Sequence, residues 1–143
     1  INHYFSVQQL LPAVGQAALG IECRADDTAA LGVLSQLNHL PSWLAVTAER
    51  TVMRELQAGC LAPMGVFADW QKDDRGSHLT LLARLLNQDG SVNLEVRVEQ
   101  PFAYQQMSVH EAVLTAQSIG RQTAAELHKL GASELLKSTG VAH

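Results

Sequence analysis

Three apolar runs separated by two polar turns constrain this chain most. The runs are residues 66–70, 77–86 and 92–98. Lys72-Asp73-Asp74-Arg75-Gly76 separates the first two, and Asn87-Gln88-Asp89-Gly90 separates the last two. Asp-Gly between apolar runs is a strong hairpin signal, because glycine accepts the backbone angles of a tight turn. Links this short join antiparallel neighbours, whereas a parallel pair needs a long crossover. In the third run Leu94, Val96 and Val98 alternate with Glu95, Arg97 and Glu99. One face is therefore expected to be buried and the other wet. The spacing predicts a three-stranded antiparallel sheet covered by helices.

Two segments supply the cover. Residues 43–57 place Ala45, Ala48, Val52 and Leu56 on one helical face, widened by Val46 and Met53. Pro41 is expected to end the preceding helix, and Ser42 to cap this one. Glu49, Arg50 and Arg54 are assigned on or near the solvated side. Arg50 and Arg54 are four apart and so neighbour each other, as a solvated basic patch or a grip for carboxylates. Residues 108–130 open with Ser108-Val109-His110-Glu111, the spacing of a capping box. Ala112, Val113, Ala116, Ile119, Ala124 and Leu127 carry its apolar face, and Gly131 suits its C-terminal cap. Gly120 inside this helix costs about 1 kcal/mol relative to alanine, so close packing against the sheet is expected there. A short helix over 133–137 follows.

The first third reads differently. Residues 12–20 are rich in small side chains and suggest a hinge leading into a strand. Ile21-Glu22-Cys23-Arg24 alternates as a strand does, which predicts a buried, chemically quiet Cys23. Asp26-Asp27-Thr28 offers an N-cap for a helix in which Ala30, Leu31, Leu34 and Leu37 keep helical spacing up to Asn38. The fold class is α+β.

Composition bounds the function. Of the 143 residues 47% are hydrophobic and 17% charged, which places the chain among globular proteins. A net charge of −4 argues against general binding to nucleic acid or a membrane surface. No apolar run reaches the roughly 20 residues that span a bilayer. The opening Ile1-Asn2-His3-Tyr4 has neither the basic region nor the apolar core of a signal peptide. Cys23 and Cys60 alone make no disulfide framework, so a reducing, cytoplasmic setting is expected. The six histidines have no metal-ligand spacing, and no phosphate loop, dinucleotide fingerprint or nucleophile elbow is present. No metal is expected. What remains is Cys60, between Gly59 and Pro63 at a helix-to-strand turn, with arginines upstream. A thiol so placed suits attachment or nucleophilic chemistry, and equally suits a small buried hydrophobe.

Two blocks resemble a known family. Residues 12–24, from Pro12 through Gly15, Gln16, Gly20, Ile21 and Glu22 to Arg24, are similar to the Pro-Ala-x-Gly-Gln-Gly-Ala-x-Gly-Ile-Glu-x-Arg segment of porphobilinogen deaminase (hydroxymethylbilane synthase). Residues 48–65, with Ala48-Glu49-Arg50, Arg54, Leu56, Gly59-Cys60, Pro63 and Gly65, resemble that family's Ala-Glu-Arg-Ala…Arg-x-Leu-x-Gly-Gly-Cys-x-x-Pro-x-Gly segment. Their order and separation agree, and the likeness continues more weakly beyond Trp70.

The resemblance implies that Cys60 holds a dipyrromethane cofactor through a thioether. Four porphobilinogen units are joined to that primer head to tail, each losing ammonia, to give hydroxymethylbilane for haem and other tetrapyrroles. It further implies that Arg24 and Gln16 line the cofactor and substrate cleft, and that Arg24 and Arg50 bind carboxylates of the growing polypyrrole. Arg54 receives at most a supporting role. Ala17 stands where the family usually has glycine, Ala58 replaces the first glycine of Gly-Gly-Cys, and Leu61 replaces a residue that is usually polar.

The family enzyme is longer and has three domains. By resemblance, residues 1–38 hold a hinge, a strand and a helix belonging to upstream domains, and residues 39–143 form the C-terminal cofactor-attachment domain. The catalytic carboxylate is expected upstream, so the chain alone is expected to be an incomplete catalyst. The N-terminal domains are the implied partner, and an unpaired strand edge near residues 14–38 could mediate self-association. Two other readings stand beside this one: a binding module that has kept the fold and lost the chemistry, and a small thiol-dependent enzyme using Cys60 directly.

Overall fold

A computed structural model describes residues 2–59, 61–74 and 76–138. Helix α1 (Thr28–Ser35) and helix α2 (Leu40–Glu55) precede strands β1 (Met64–Asp73), β2 (Gly76–Leu86) and β3 (Asn93–Pro101). A 3-10 turn at Tyr104–Gln106 leads to helix α3 (Val109–Lys129) and helix α4 (Ala132–Ser138). The sheet is antiparallel in the order β1-β2-β3, as the two short turns require. Registers of Ala68 with Leu81 and of Leu81 with Val98 put the apolar residues of all three strands on one face.

Helices α2 and α3 lie on that face. Leu79, Leu81, Ala83 and Leu85 of β2 are fully buried, as are Leu44, Ala48 and Val52 of α2 and Ala112, Ala116 and Leu127 of α3. On β3 only the inward side chains are shielded while Glu95, Arg97 and Glu99 stay exposed, as their alternation predicts. The capping box of α3 is formed in full: Glu111 N–H donates to Ser108 Oγ, and Ser108 N–H to Glu111 Oε2. Gly131 closes α3 with a φ of 98°.

Some local expectations are corrected. Helix α2 starts at Leu40, so Pro41 opens it rather than ending the one before. Proline suits that place because first-turn N–H groups have no helical partner. Ser42 is not the cap; His39 occupies that position without a side-chain bond to the backbone. Gly120 packs against α2 and not against the sheet. A Cβ there would lie 2.5 Å from the Ala48 carbonyl oxygen and 2.7 Å from Thr51 Cβ. The missing side chain lets the two helices touch backbone to backbone.

The largest correction concerns residues 21–24. They form no strand, because no neighbouring strand lies beside them to supply a ladder. Cys23 is consequently exposed and not buried, and no strand edge is offered there for self-association. Helix α1 has Asp27 as its cap, with Ala30 N–H donating to Asp27 Oδ1, yet it buries no residue.

The N-terminal segment is nevertheless pinned. Arg84, paired with Glu95 on the outer sheet face, donates to the Gln8 carbonyl at 2.9 Å. Leu11 and Pro12 cross β1 at Gly65, where a Cβ would stand 2.6 Å from Leu11 Cβ. Only glycine admits that crossing. No helix among the described residues is long and apolar enough to cross a membrane.

Candidate functional site

A cleft of about 640 Å³ opens between the hinge segment and α2. Ala17 to Ile21 form one wall, and Trp43, Val46 and Arg50 of α2 form the other, with Leu34 and Leu37 contributing from the α1 side. The spacing of 43, 46 and 50 puts these three side chains on one helix face. Asn38, His39 and Ser42 complete the lining, so the cleft joins apolar and polar surface in similar measure, with one guanidinium at its side, a combination suited to an organic acid.

The hinge turn is built by side chains as well as backbone. Ala13 N–H donates to Gln16 Oε1 at 2.9 Å, and Gln16 N–H to the Ala13 carbonyl. Gln16 is exposed and spends its carbonyl on its own turn, which leaves its amide N–H groups to face outward. Gly15 takes φ 69° and Ala17 φ 67°. The left-handed region costs a non-glycine residue roughly 1–2 kcal/mol. The departure from the family's glycine at Ala17 therefore falls where glycine would fit best. Ala58 differs: the left-handed residue of its turn is Gln57, with φ 52°, and Ala58 is buried in the core cluster. Its methyl adds packing without backbone cost.

Other expected residues are less gathered. Arg24 pairs loosely with Asp27 at 3.5 Å, its side chain 81% exposed, and it does not line the cleft. Arg54 pairs with Glu55 at 3.4 Å, also away from the cleft. Arg50 is the one assigned side chain in the cleft wall. Cys60 lies outside the described residues. Its neighbours Gly59 and Leu61 are both exposed, Leu61 at 84%. Among the described residues no cluster of histidine, cysteine and carboxylates could hold a metal ion.

Glu49 was misplaced by sequence reasoning. It is buried at 7% exposure instead of facing water. Gly15 N–H donates to its Oε2 at 2.7 Å, and Ala68 N–H to its Oε1 at 2.9 Å. Burial pushes its pKa up from 4.5, while the bonds from Ala68 and Gly15 and the Arg50 charge pull it down. A signal was available: residues 45, 49, 52 and 56 follow the i, i+4, i+7 stripe that packs on the sheet. A carboxylate inside that stripe must meet donors there.

Comparison with known proteins identifies the family. Residues 43–129 match the family model described as porphobilinogen deaminase, C-terminal domain. A porphobilinogen deaminase of Thermobifida fusca is 42% identical over 137 residues, covering 95% of this chain and 41% of the relative. One from Desulforudis audaxviator is 35% identical over 136 residues, 95% of this chain and 39% of the relative. One from Brevibacillus brevis is 50% identical over 68 residues, 48% of this chain and 22% of the relative. The chain thus spans about two-fifths of the length of the first two relatives. This chain belongs to the porphobilinogen deaminase family, and residues 43–129 are its C-terminal domain.

Proposed function

We propose that this chain is the C-terminal part of a hydroxymethylbilane synthase, a cytoplasmic transferase of porphyrin biosynthesis that joins four porphobilinogen units with loss of ammonia. One observation carries the reading. The two sequence blocks that resemble the family, 12–24 and 48–65, meet across a single cleft with Arg50 in its wall. Arg50 binds acetate or propionate groups of the growing polypyrrole there, as a planar guanidinium pairs with a carboxylate through two parallel hydrogen bonds. Arg24 serves the same anions once its loose, exposed pair with Asp27 yields. Gln16 offers its outward amide to the cofactor.

The exposure of Gly59 and Leu61 supports the attachment of a bulky group between them. A dipyrromethane bound there through a thioether supplies the free pyrrole end that accepts the first unit. Cys60 contributes the sulfur. A thiolate attacks an electrophilic methylene far better than an alcohol, whose proton is retained at neutral pH. The turn follows a helix C-terminus, whose dipole does not favour a thiolate, so Arg50 and Arg54 on the last turns of α2 are the local cations.

The catalytic carboxylate and most carboxylate-binding arginines belong to domains outside these 143 residues. The exposed Leu19, Ile21, Val33 and Leu37 are the contact for those domains. A binding module that keeps the fold is the second reading, favoured by the strained Ala17.

Intact mass of the full-length protein tests the reading. Wild type and Cys23→Ser are expected to carry the added dipyrromethane mass, and Cys60→Ser to lack it. Attachment surviving in Cys60→Ser, or lost in folded Cys23→Ser, overturns the assignment. Cofactor absent from a folded wild type that releases no ammonia from porphobilinogen favours the binding module.

A further inference from the structure

We infer that Glu49 is a positioning residue: its carboxylate holds the Gly15 turn, where the cleft wall begins, at a fixed distance from Arg50. The inference rests on the proposed function for the importance of that distance, though not for the latch itself. Both carboxylate oxygens are engaged on different segments. Oε2 accepts from Gly15 N–H at 2.7 Å, and Oε1 from Ala68 N–H at 2.9 Å on β1. Ala68 belongs to an edge strand, so its outward N–H has no ladder partner and Glu49 supplies one. The β1 contact fixes the carboxylate, and the fixed carboxylate fixes the turn.

Distances around Gly15 show what the latch sets. A Cβ at Gly15 would stand 3.6 Å from Arg50 Nε and 3.6 Å from Val46 Cγ1, both residues of the opposite wall. Gly15 therefore sits against the guanidinium stem at the point where the two walls join. Its φ of 69° turns the chain so that Ala17 and its successors run along the cleft. Glu49 itself does not line the cleft and is buried, so it touches no ligand there. It acts through Gly15 and Arg50. An arginine that binds substrate and transition state alike contributes uniform binding, and its loss raises KM with kcat unchanged.

The test has two readouts. The first is amide hydrogen exchange resolved at Gly15 and Ala68 in the full-length protein, for wild type, Glu49→Gln and Glu49→Ala. Glu49→Ala is expected to raise exchange at both amides at least tenfold. Glu49→Gln, which keeps one acceptor oxygen, is expected to raise it at one of them. The β2 amides of Leu81 and Ala83 must keep wild-type protection, which reports that the fold is intact. Glu49→Gln retains size and shape, so it decides the matter if Glu49→Ala fails to fold. Wild-type protection at both amides in folded Glu49→Gln overturns the latch.

The second readout is steady-state turnover of porphobilinogen. Glu49→Gln is expected to raise KM several-fold with kcat within about twofold of wild type. A fall in kcat with KM unchanged, or no change in either while Gly15 exchange rises, overturns the positioning role and leaves the proposed function standing. No turnover by loaded wild type fails the proposed function instead, and the exchange result alone then judges the latch.

Discussion

Glu49 also sets a pH dependence that belongs to one residue. Burial is the largest influence on it and raises its pKa above 4.5. A raised folded-state pKa means that the native state binds the proton more tightly than the unfolded chain does. The associated stability is fully present below the unfolded pKa and is lost as pH rises through the folded value. Glu49→Gln cannot titrate and lacks this slope. Urea unfolding of wild type and Glu49→Gln from pH 4 to 7 is therefore expected to show wild type losing stability relative to the variant above pH 4.5, with parallel curves once Glu49 is fully ionised. A difference that moves the opposite way would mean that the two backbone donors and Arg50 outweigh burial. Glu111 and Asp89 do not interfere. Both are held below their ordinary values, chiefly by the hydroxyls of Ser108 and Ser91, and both keep their bonds in either protein.

At the scale of elements the α2–α3 contact depends on Gly120. A methyl there must displace the Ala48 carbonyl or Thr51, and neither is the free end of a flexible chain. Overpacking of this kind costs about 1–3 kcal/mol, more than the roughly 1 kcal/mol of helix propensity that alanine returns. Gly120→Ala is expected to lower the unfolding free energy by up to about 2 kcal/mol in a urea titration; a gain in stability would show that the helices separate freely. The sequence made the glycine's role legible but not its partner. Helical period identifies a packed face, yet α2 and the sheet both present apolar surface to α3. The sheet was legible for a firmer reason, since two short turns admit only antiparallel pairing. Residues 21–24 were misread because alternation describes one chain, whereas a strand exists only with a neighbour. The cleft could be placed through Arg50 but not through Arg24, whose location depends on a segment with no buried anchor. Glu49 reads as solvated when its charge is weighed over its position in the buried stripe.

The whole molecule divides into a packed body and an exposed excursion. Residues 11–16 are anchored through Gly65 and Glu49, and the body resumes at Leu40. Between them α1 buries nothing, while Leu19 is 94% exposed and Ile21, Val33 and Leu37 are all open to solvent. A single eight-residue helix without tertiary cover is marginal in water, because nucleation is costly and packing supplies most helical stability. Local opening there needs little free energy, whereas opening the sheet means breaking the shared core of β2, α2 and α3. Thermolysin, which cuts before exposed apolar residues, is therefore expected to cleave the isolated 143-residue chain first between residues 17 and 38. The strands and α2 and α3 should survive as a resistant fragment starting near residue 38, identified by mass and retaining its circular dichroism. In the full-length protein the same bonds should become resistant, because the domains proposed to cover Leu19, Ile21, Val33 and Leu37 would shield them. Equal cutting in both forms would show that this apolar surface is not where those domains pack. Early cutting within β1 to β3 of the isolated chain would show that the body does not hold its fold without them.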